Sequence, residues 1–214
     1  MAWRAAVSRW HRASGGAGAG ARFGDKAFWQ QSYEAKRAAR EWFVGAETAA
    51  AGAAAACEAH GVAASPRVLH AGCGVSRLGE SFARAVPGAV VVNADASAAA
   101  LAQLEAATRG AAQRFRAWDA FAAAAPPPGA PYDVVLDKGT LDAAIFAGEA
   151  ALVNYCAALR LADFALLCHW SDEPPEVRGE LLRAAFPEAA VSWAAVDDGD
   201  AAWAYFGYVV AAPR

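Results

Sequence analysis

RVLHAGCGVSRLGESFARAVPGAVVVNAD, residues 67–95, decides how the chain folds. Pro66 stops the helical stretch before it, and Arg67 to Ala71 then reads as a short buried strand. Gly72-Cys73-Gly74 strips side chains from the turn that follows, and Leu78 to Val86 has helical spacing, closed by Pro87-Gly88. Ala89 to Asn93 is a second apolar run, ending in Ala94-Asp95. A strand, a glycine turn, a helix and a second strand form a βαβ unit. A chain that repeats this unit builds a parallel sheet wrapped on both faces by helices.

The repetition continues in both directions. Upstream, Glu47 to His60 reads as an alanine-rich helix ending at Gly61, and FWQQSYEAKRAAREWF (28–43) mixes helix formers with aromatics. Downstream, Ser97 is placed to cap a helix from Ala98 to Thr108 that Gly110 terminates. Arg114 to Trp118 is a third strand ending at Asp119, and after the loop PPPGAP a fourth, Val134-Val135-Leu136, ends in Asp137-Lys138. A helix over Glu149 to Leu161, a strand over Phe164 to Trp170 and a Pro-led helix in SDEPPEVRGELLRAAF follow. Val191 to Val196 and Trp203 to Val210 read as a closing antiparallel pair around the turn at 197–200.

The 214 residues suffice for one such domain and are few for two. No uncharged run of eighteen apolar residues occurs, so no membrane span is expected. A net charge of −3 and the lack of a basic stripe disfavour a nucleic-acid partner. Cys57, Cys73, Cys156 and Cys168 lack CxxC or metal-finger spacing and are expected to be reduced thiols, with no metal site. The four histidines are scattered and read as packing or surface residues. Residues 1–24 stand apart: they carry four arginines and no acid, and Trp3, Ala6, Val7 and Trp10 share one helical face. That segment is expected to be a transit peptide or a disordered leader, with the catalytic domain over 25–214.

Open parallel sheets bind ligands at their carboxyl edge. Four successive strands here end in glycine or acid: Gly72 and Gly74, Asp95, Asp119, and Asp137-Lys138. A carboxylate at Asp95 suits a ribose diol, and Trp118 with Asp119 suits an adenine, unless Trp118 is simply core. Arg77 stands where a dinucleotide site wants its third glycine, and no Walker loop is present, so the phosphate-binding parts are missing. The ligand that fits is an adenosine without phosphates, S-adenosylmethionine.

The motifs VLHAGCGVSRL, NADAS, AWDA and YDVVLDKGTLDA, with FWQQSY and EWF before them, resemble class I S-adenosylmethionine-dependent methyltransferases, and more narrowly the protein-lysine methyltransferases. The resemblance implies a Rossmann-like, doubly wound sheet of seven strands with an N-terminal helical cap. WSDEPPEVR and the aromatic AYFGYVV resemble the mitochondrial citrate synthase enzyme, whereas GVSRL leans toward enzymes that modify elongation factor 1-alpha. It implies cofactor contacts from Trp29, Tyr33, Trp42, Gly72, Cys73, Gly74, Asp95, Ala96, Trp118, Asp119, Ala120 and Lys138. Trp29, Tyr33 and Trp42 read equally well as packing of the N-terminal helix. Asp137, then Asp142, are the candidates to orient an acceptor amine and take its proton, or else to brace loop backbone. Lys138 either contacts the cofactor carboxylate or backbone, or pairs with one of these acids. A nucleic-acid or small-molecule methyltransferase and an inactive assembly partner of the same fold are the rival readings, and mitochondrion and cytoplasm are the two locations considered.

Overall fold

A computed structural model describes residues 2–13, 21–35, 41–110, 112–122, 124–197, 199 and 204–213. The chain begins with α1 (Ala2–Ala13), a short 3-10 turn (Ala21–Gly24), α2 (Lys26–Glu34) and α3 (Ala46–Ala59). The alternating core follows as β1 (Arg67–Ala71), α4 (Leu78–Ala85), β2 (Val90–Asp95), α5 (Ala98–Ala107), β3 (Gln113–Ala117) and β4 (Val134–Lys138). It is completed by α6 (Thr140–Ala147), α7 (Glu149–Arg160), β5 (Leu166–Ser171), α8 (Pro175–Ala185), β6 (Ala190–Val196) and β7 (Tyr205–Ala211). The seven strands form one sheet in the order β3-β2-β1-β4-β5-β7-β6. β7 is antiparallel to both β5 and β6, and the other pairings are parallel. Strand order reverses between β1 and β4, which opens a crevice at the carboxyl edge there.

Neighbouring residues of each central strand feed opposite cores, as a two-residue side-chain period requires. Leu69, Val135 and Leu167 join Tyr155 and Leu182 on one face. Val68, Val134, Leu136 and Leu166 join Phe82 and Ala53 on the other. Each such aliphatic side chain stabilises the fold by about 1.5–3 kcal/mol through burial. A buried polar chain pins α4 to three strands: His70 Nδ1 lies 3.0 Å from Asn93 Oδ1, Asn93 donates to Gln113 (2.7 Å), and Gln113 donates to the Gly79 carbonyl (3.2 Å). Burial pushes the His70 ring down to about 4, so it is neutral near pH 7 and fills a structural role.

The expected β1 matches residue for residue, and Ser97 caps α5, accepting from the Ala100 amide at 3.2 Å. Three features depart from expectation. A separate helix, α6, follows the fourth strand directly, because Gly139 turns left-handed (φ +96) and Gly148 (φ +107) divides α6 from α7. The aromatic stretch over 28–43 is helical only to Glu34 among the described residues, and residues 36–40 lie outside them. Residues 2–13 of the expected leader form α1, docked on α7 and α8 with Val7 fully buried. The linker over 14–20 and Trp203 of the expected last strand lie outside the described residues. Among the described residues no helix is long and apolar enough to cross a membrane.

Candidate active site

The crevice is a cavity of about 640 Å³, lined from the ends of β1, β2 and β4, the loop after β3, and helices on both sides. This volume is that of a small-molecule site. Its first wall is backbone. Gly72 (φ +56) and Gly74 (φ +51) carry β1 into the turn, and no L side chain adopts those angles readily. A Cβ on Gly72 would lie 2.1 Å from Thr140 Oγ1, and one on Gly74 would lie 2.6 Å from Tyr33 Oη. Both glycines therefore answer to the protein's own packing as well as to any ligand. Beside them Asp95 accepts from the Gly74 amide (2.8 Å) and the Ser97 amide (2.7 Å). Burial outweighs these bonds and raises the Asp95 carboxyl above its ordinary value. Each oxygen retains acceptor capacity for a pair of hydroxyls.

Cys73, Ala96, Trp118, Asp119 and Ala120 also line the cavity, as expected. Asp119 is held by Lys26 of α2 at 2.8 Å; burial would raise its carboxyl, but Lys26 outweighs this and lowers it. Trp29, Tyr33 and Trp42 line the cavity and pack on one another, which unites the two readings of these aromatics. Trp29 and Tyr33 stack with centroids 6.0 Å apart, Trp42 meets Trp29 edge-on at 5.7 Å, and Phe23 bridges Trp42 to Phe146. The Trp29 indole donates to the Phe23 carbonyl at 2.7 Å, so the cluster has a fixed geometry.

Lys138 meets backbone, one of its expected contacts, together with an acid that the sequence did not single out. Its side chain is buried at the cavity floor, and its ammonium is committed to the Glu41 carboxylate and the carbonyls of Trp42 and Val44 (both 3.1 Å). It pairs with neither Asp137 nor Asp142 and serves to clamp the 41–44 segment to β4. Glu41 also accepts from Ser76 Oγ (2.7 Å) and the Arg77 amide (3.0 Å), joining this segment to the glycine turn. Glu41 went unrecognised in the sequence because its partner lies 97 residues away.

The two candidate acids have different surroundings. Asp137 is 1% exposed and does not line the cavity. It accepts from the Thr140 amide (2.9 Å), the Leu141 amide (3.2 Å) and Tyr155 Oη (2.7 Å), fixing the start of α6. Burial would raise its carboxyl, but the His169 ring 3.4 Å away and these donors outweigh burial and lower it. This is the loop-bracing alternative. Asp142 does line the cavity, bonded to Ser171 Oγ (2.8 Å) and ion-paired with Arg178, itself 1% exposed. Asp142 Oδ2, both His169 nitrogens and two Arg178 nitrogens have no hydrogen-bond partner among the described residues. Asp172 and Glu173, from the loop after β5, complete an acidic rim. Burial first, then the nearby Asp142, raises the Asp172 carboxyl. The burial of Arg178 is not legible in the charged, Pro-rich run SDEPPEVR that carries it. Among the described residues no three His, Cys, Asp or Glu side chains gather to hold a metal.

No protein-family model matches the chain, and no curated protein sequence does. Solved structures are similar in fold. The N-methyltransferase NodS from Bradyrhizobium japonicum WM9, in complex with S-adenosyl-L-homocysteine, superposes with a TM-score of 0.59 at 12% identity, covering 87% of this chain and 99% of that one. The magnesium protoporphyrin IX methyltransferase of Synechocystis PCC 6803, with bound S-adenosylmethionine, gives 0.58 at 19% identity over 89% and 93%. The glycopeptide N-methyltransferase MtfA gives 0.58 at 14% identity over 86% and 97%. The seven-stranded, Rossmann-like fold of S-adenosylmethionine-dependent methyltransferases is the fold of this chain.

Proposed function

We propose that the chain is an S-adenosylmethionine-dependent methyltransferase whose acceptor is a protein lysine. The supporting observation is a cavity with two chemically distinct ends. One carries Gly72, Gly74 and Asp95 beside Trp118 and Asp119; the other carries Asp142, Asp172 and Glu173. The first end fits an adenosine, since Gly72 and Gly74 present backbone without side chains to the cavity and Asp95 keeps acceptor sites for a diol. Trp29, Tyr33 and Trp42 exclude water above it and offer ring faces to a sulfonium. When bound, S-adenosylmethionine supplies an electrophilic methyl group. The remaining work is placement of the acceptor in line with it.

The acidic end favours a cation, which matches a lysine ammonium of pKa about 10.4 that must shed a proton to react. Asp142, braced by Ser171 and Arg178, is placed to orient the amine, and Asp172, with its raised carboxyl, to receive the proton. Citrate synthase is the target that the sequence resemblance favours, with elongation factor 1-alpha second. A mitochondrial setting rests on the basic, acid-free residues 1–24. The test is incubation of the full chain and methyl-labelled cofactor with mitochondrial extract, followed by identification of the labelled species. Label on a lysine of citrate synthase is the expected result. Label in RNA or in small molecules overturns the lysine reading, and no transfer despite cofactor binding favours the inactive partner.

A further inference from the structure

The helix α1 is the part of the molecule whose sequence and surroundings disagree most. Its composition resembles an import signal, a segment expected to leave the finished protein. Its surroundings are those of an integral element. Val7 is fully buried, and Trp3 and Trp10 pack on the same core that holds Leu152, Tyr155 and Leu181. His11 Nε2 lies 3.1 Å from the Ile145 carbonyl at the end of α6. Arg12 meets Glu149 at 2.8 Å at the start of α7, and Arg160 lies over the Trp3 ring, 5.2 Å from its centroid, at the other end of that helix. These anchors run α1 antiparallel along α7 over its whole length.

Trp10 also lines the cavity, together with Ile145, Phe146 and Val177. Those three belong to α6 and α8, which follow β4 and β5, whereas Asp95 and Asp119 follow β2 and β3 on the other side of the strand reversal. α1 packs on α8, and its His11 meets Ile145 of α6, so Trp10 stands toward the acceptor end. We propose that α1 remains part of the working enzyme as a wall of the acceptor end, with Trp10 setting the width available to the incoming side chain. This rests on the methyltransferase reading for which end takes the acceptor.

The experiment compares the full chain with Trp10→Ala and Trp10→Phe, after matching their circular dichroism. Calorimetry with S-adenosylmethionine and labelled-methyl transfer into mitochondrial extract are measured for each. The expected result is cofactor affinity within about threefold of wild type, transfer reduced about tenfold or redistributed among acceptors in Trp10→Ala, and a smaller change in Trp10→Phe. Unaltered rates and an unaltered labelling pattern in both variants overturn the proposal. If Trp10→Ala does not fold, Trp10→Phe alone decides, since it keeps an aromatic ring but shortens the wall. Failure of the wild-type chain itself to bind S-adenosylmethionine is a different result, which removes the methyltransferase reading and this proposal with it. As a second measurement, protein recovered from mitochondria of cells making the full chain is digested and sequenced by mass spectrometry. Peptides spanning 2–13 are expected. An enzyme beginning after Ala13 with undiminished turnover overturns the proposal.

Discussion

The two ends of the cavity are built by different means. The proposed nucleoside end is made mostly from strand termini and their backbone: two glycines, two amides and the Asp95 carboxylate between Gly72 and Ser97, with Trp118 and Asp119 after β3. The proposed acceptor end is assembled from α1, α6, α8 and the loop after β5, and is braced by an ion pair between residues 36 apart in sequence. The first end is rigid because the sheet is rigid. The second is rigid only while buried charges stay paired. Residues at the second end can therefore change without disturbing the strand termini of the first.

The largest expected effect tests the bracing. Arg178→Met should leave Asp142 buried and uncompensated, costing about 3–5 kcal/mol of stability in denaturant unfolding, with Asp142→Asn/Arg178→Met recovering most of it. A stable Arg178→Met protein would show that the acceptor end does not depend on that pair. Next, Asp95→Ala should weaken S-adenosylmethionine binding by at least about 100-fold in calorimetry, since it removes charge-assisted bonds, while circular dichroism stays native. Near-normal affinity would erase the division between the two ends.

The smallest effect sharpens the contrast between the two acids. Asp137→Asn should cost about 1–2 kcal/mol near pH 7 by weakening the start of α6. The net lowering of the Asp137 carboxyl gives the sign. Its contribution is complete above the unfolded value of about 3.9 and is lost as pH falls through the lower folded value. Melting curves of wild type and Asp137→Asn should therefore converge in acid. A stability gap that persists at low pH would assign the loss to shape rather than charge.

What was legible in the sequence follows the same division. β1, the cap at Ser97 and the rim residues Gly72, Gly74, Asp95 and Asp119 announce themselves because strand, turn and cap are local. Lys138 was placed at the rim with backbone among its expected contacts, but its acid partner was not legible, because Glu41 reaches it from a different element. Asp137 and Asp142 look alike in DKGTLD. One faces the α6 amides and the other the cavity only because a helix begins at Thr140, and the left-handed Gly139 was the cue. Arg178 sits in a charged, Pro-rich run that reads as solvated, and its burial comes from its pairing with Asp142 and the packing of α8 against α1, β6 and β7. The amphipathic face of α1 was visible, but its docking partners α7 and α8 lie some 140 residues on.

The clamp at Lys138 has a kinetic consequence. Peeling the 41–44 segment away from β4 would strip the buried Lys138 ammonium of its carboxylate and both carbonyls, at a cost far above thermal energy. The Lys26–Asp119 contact on the α2 side is the opposite case: water already reaches it, so added salt should loosen that side of the crevice while leaving the Lys138 clamp shut.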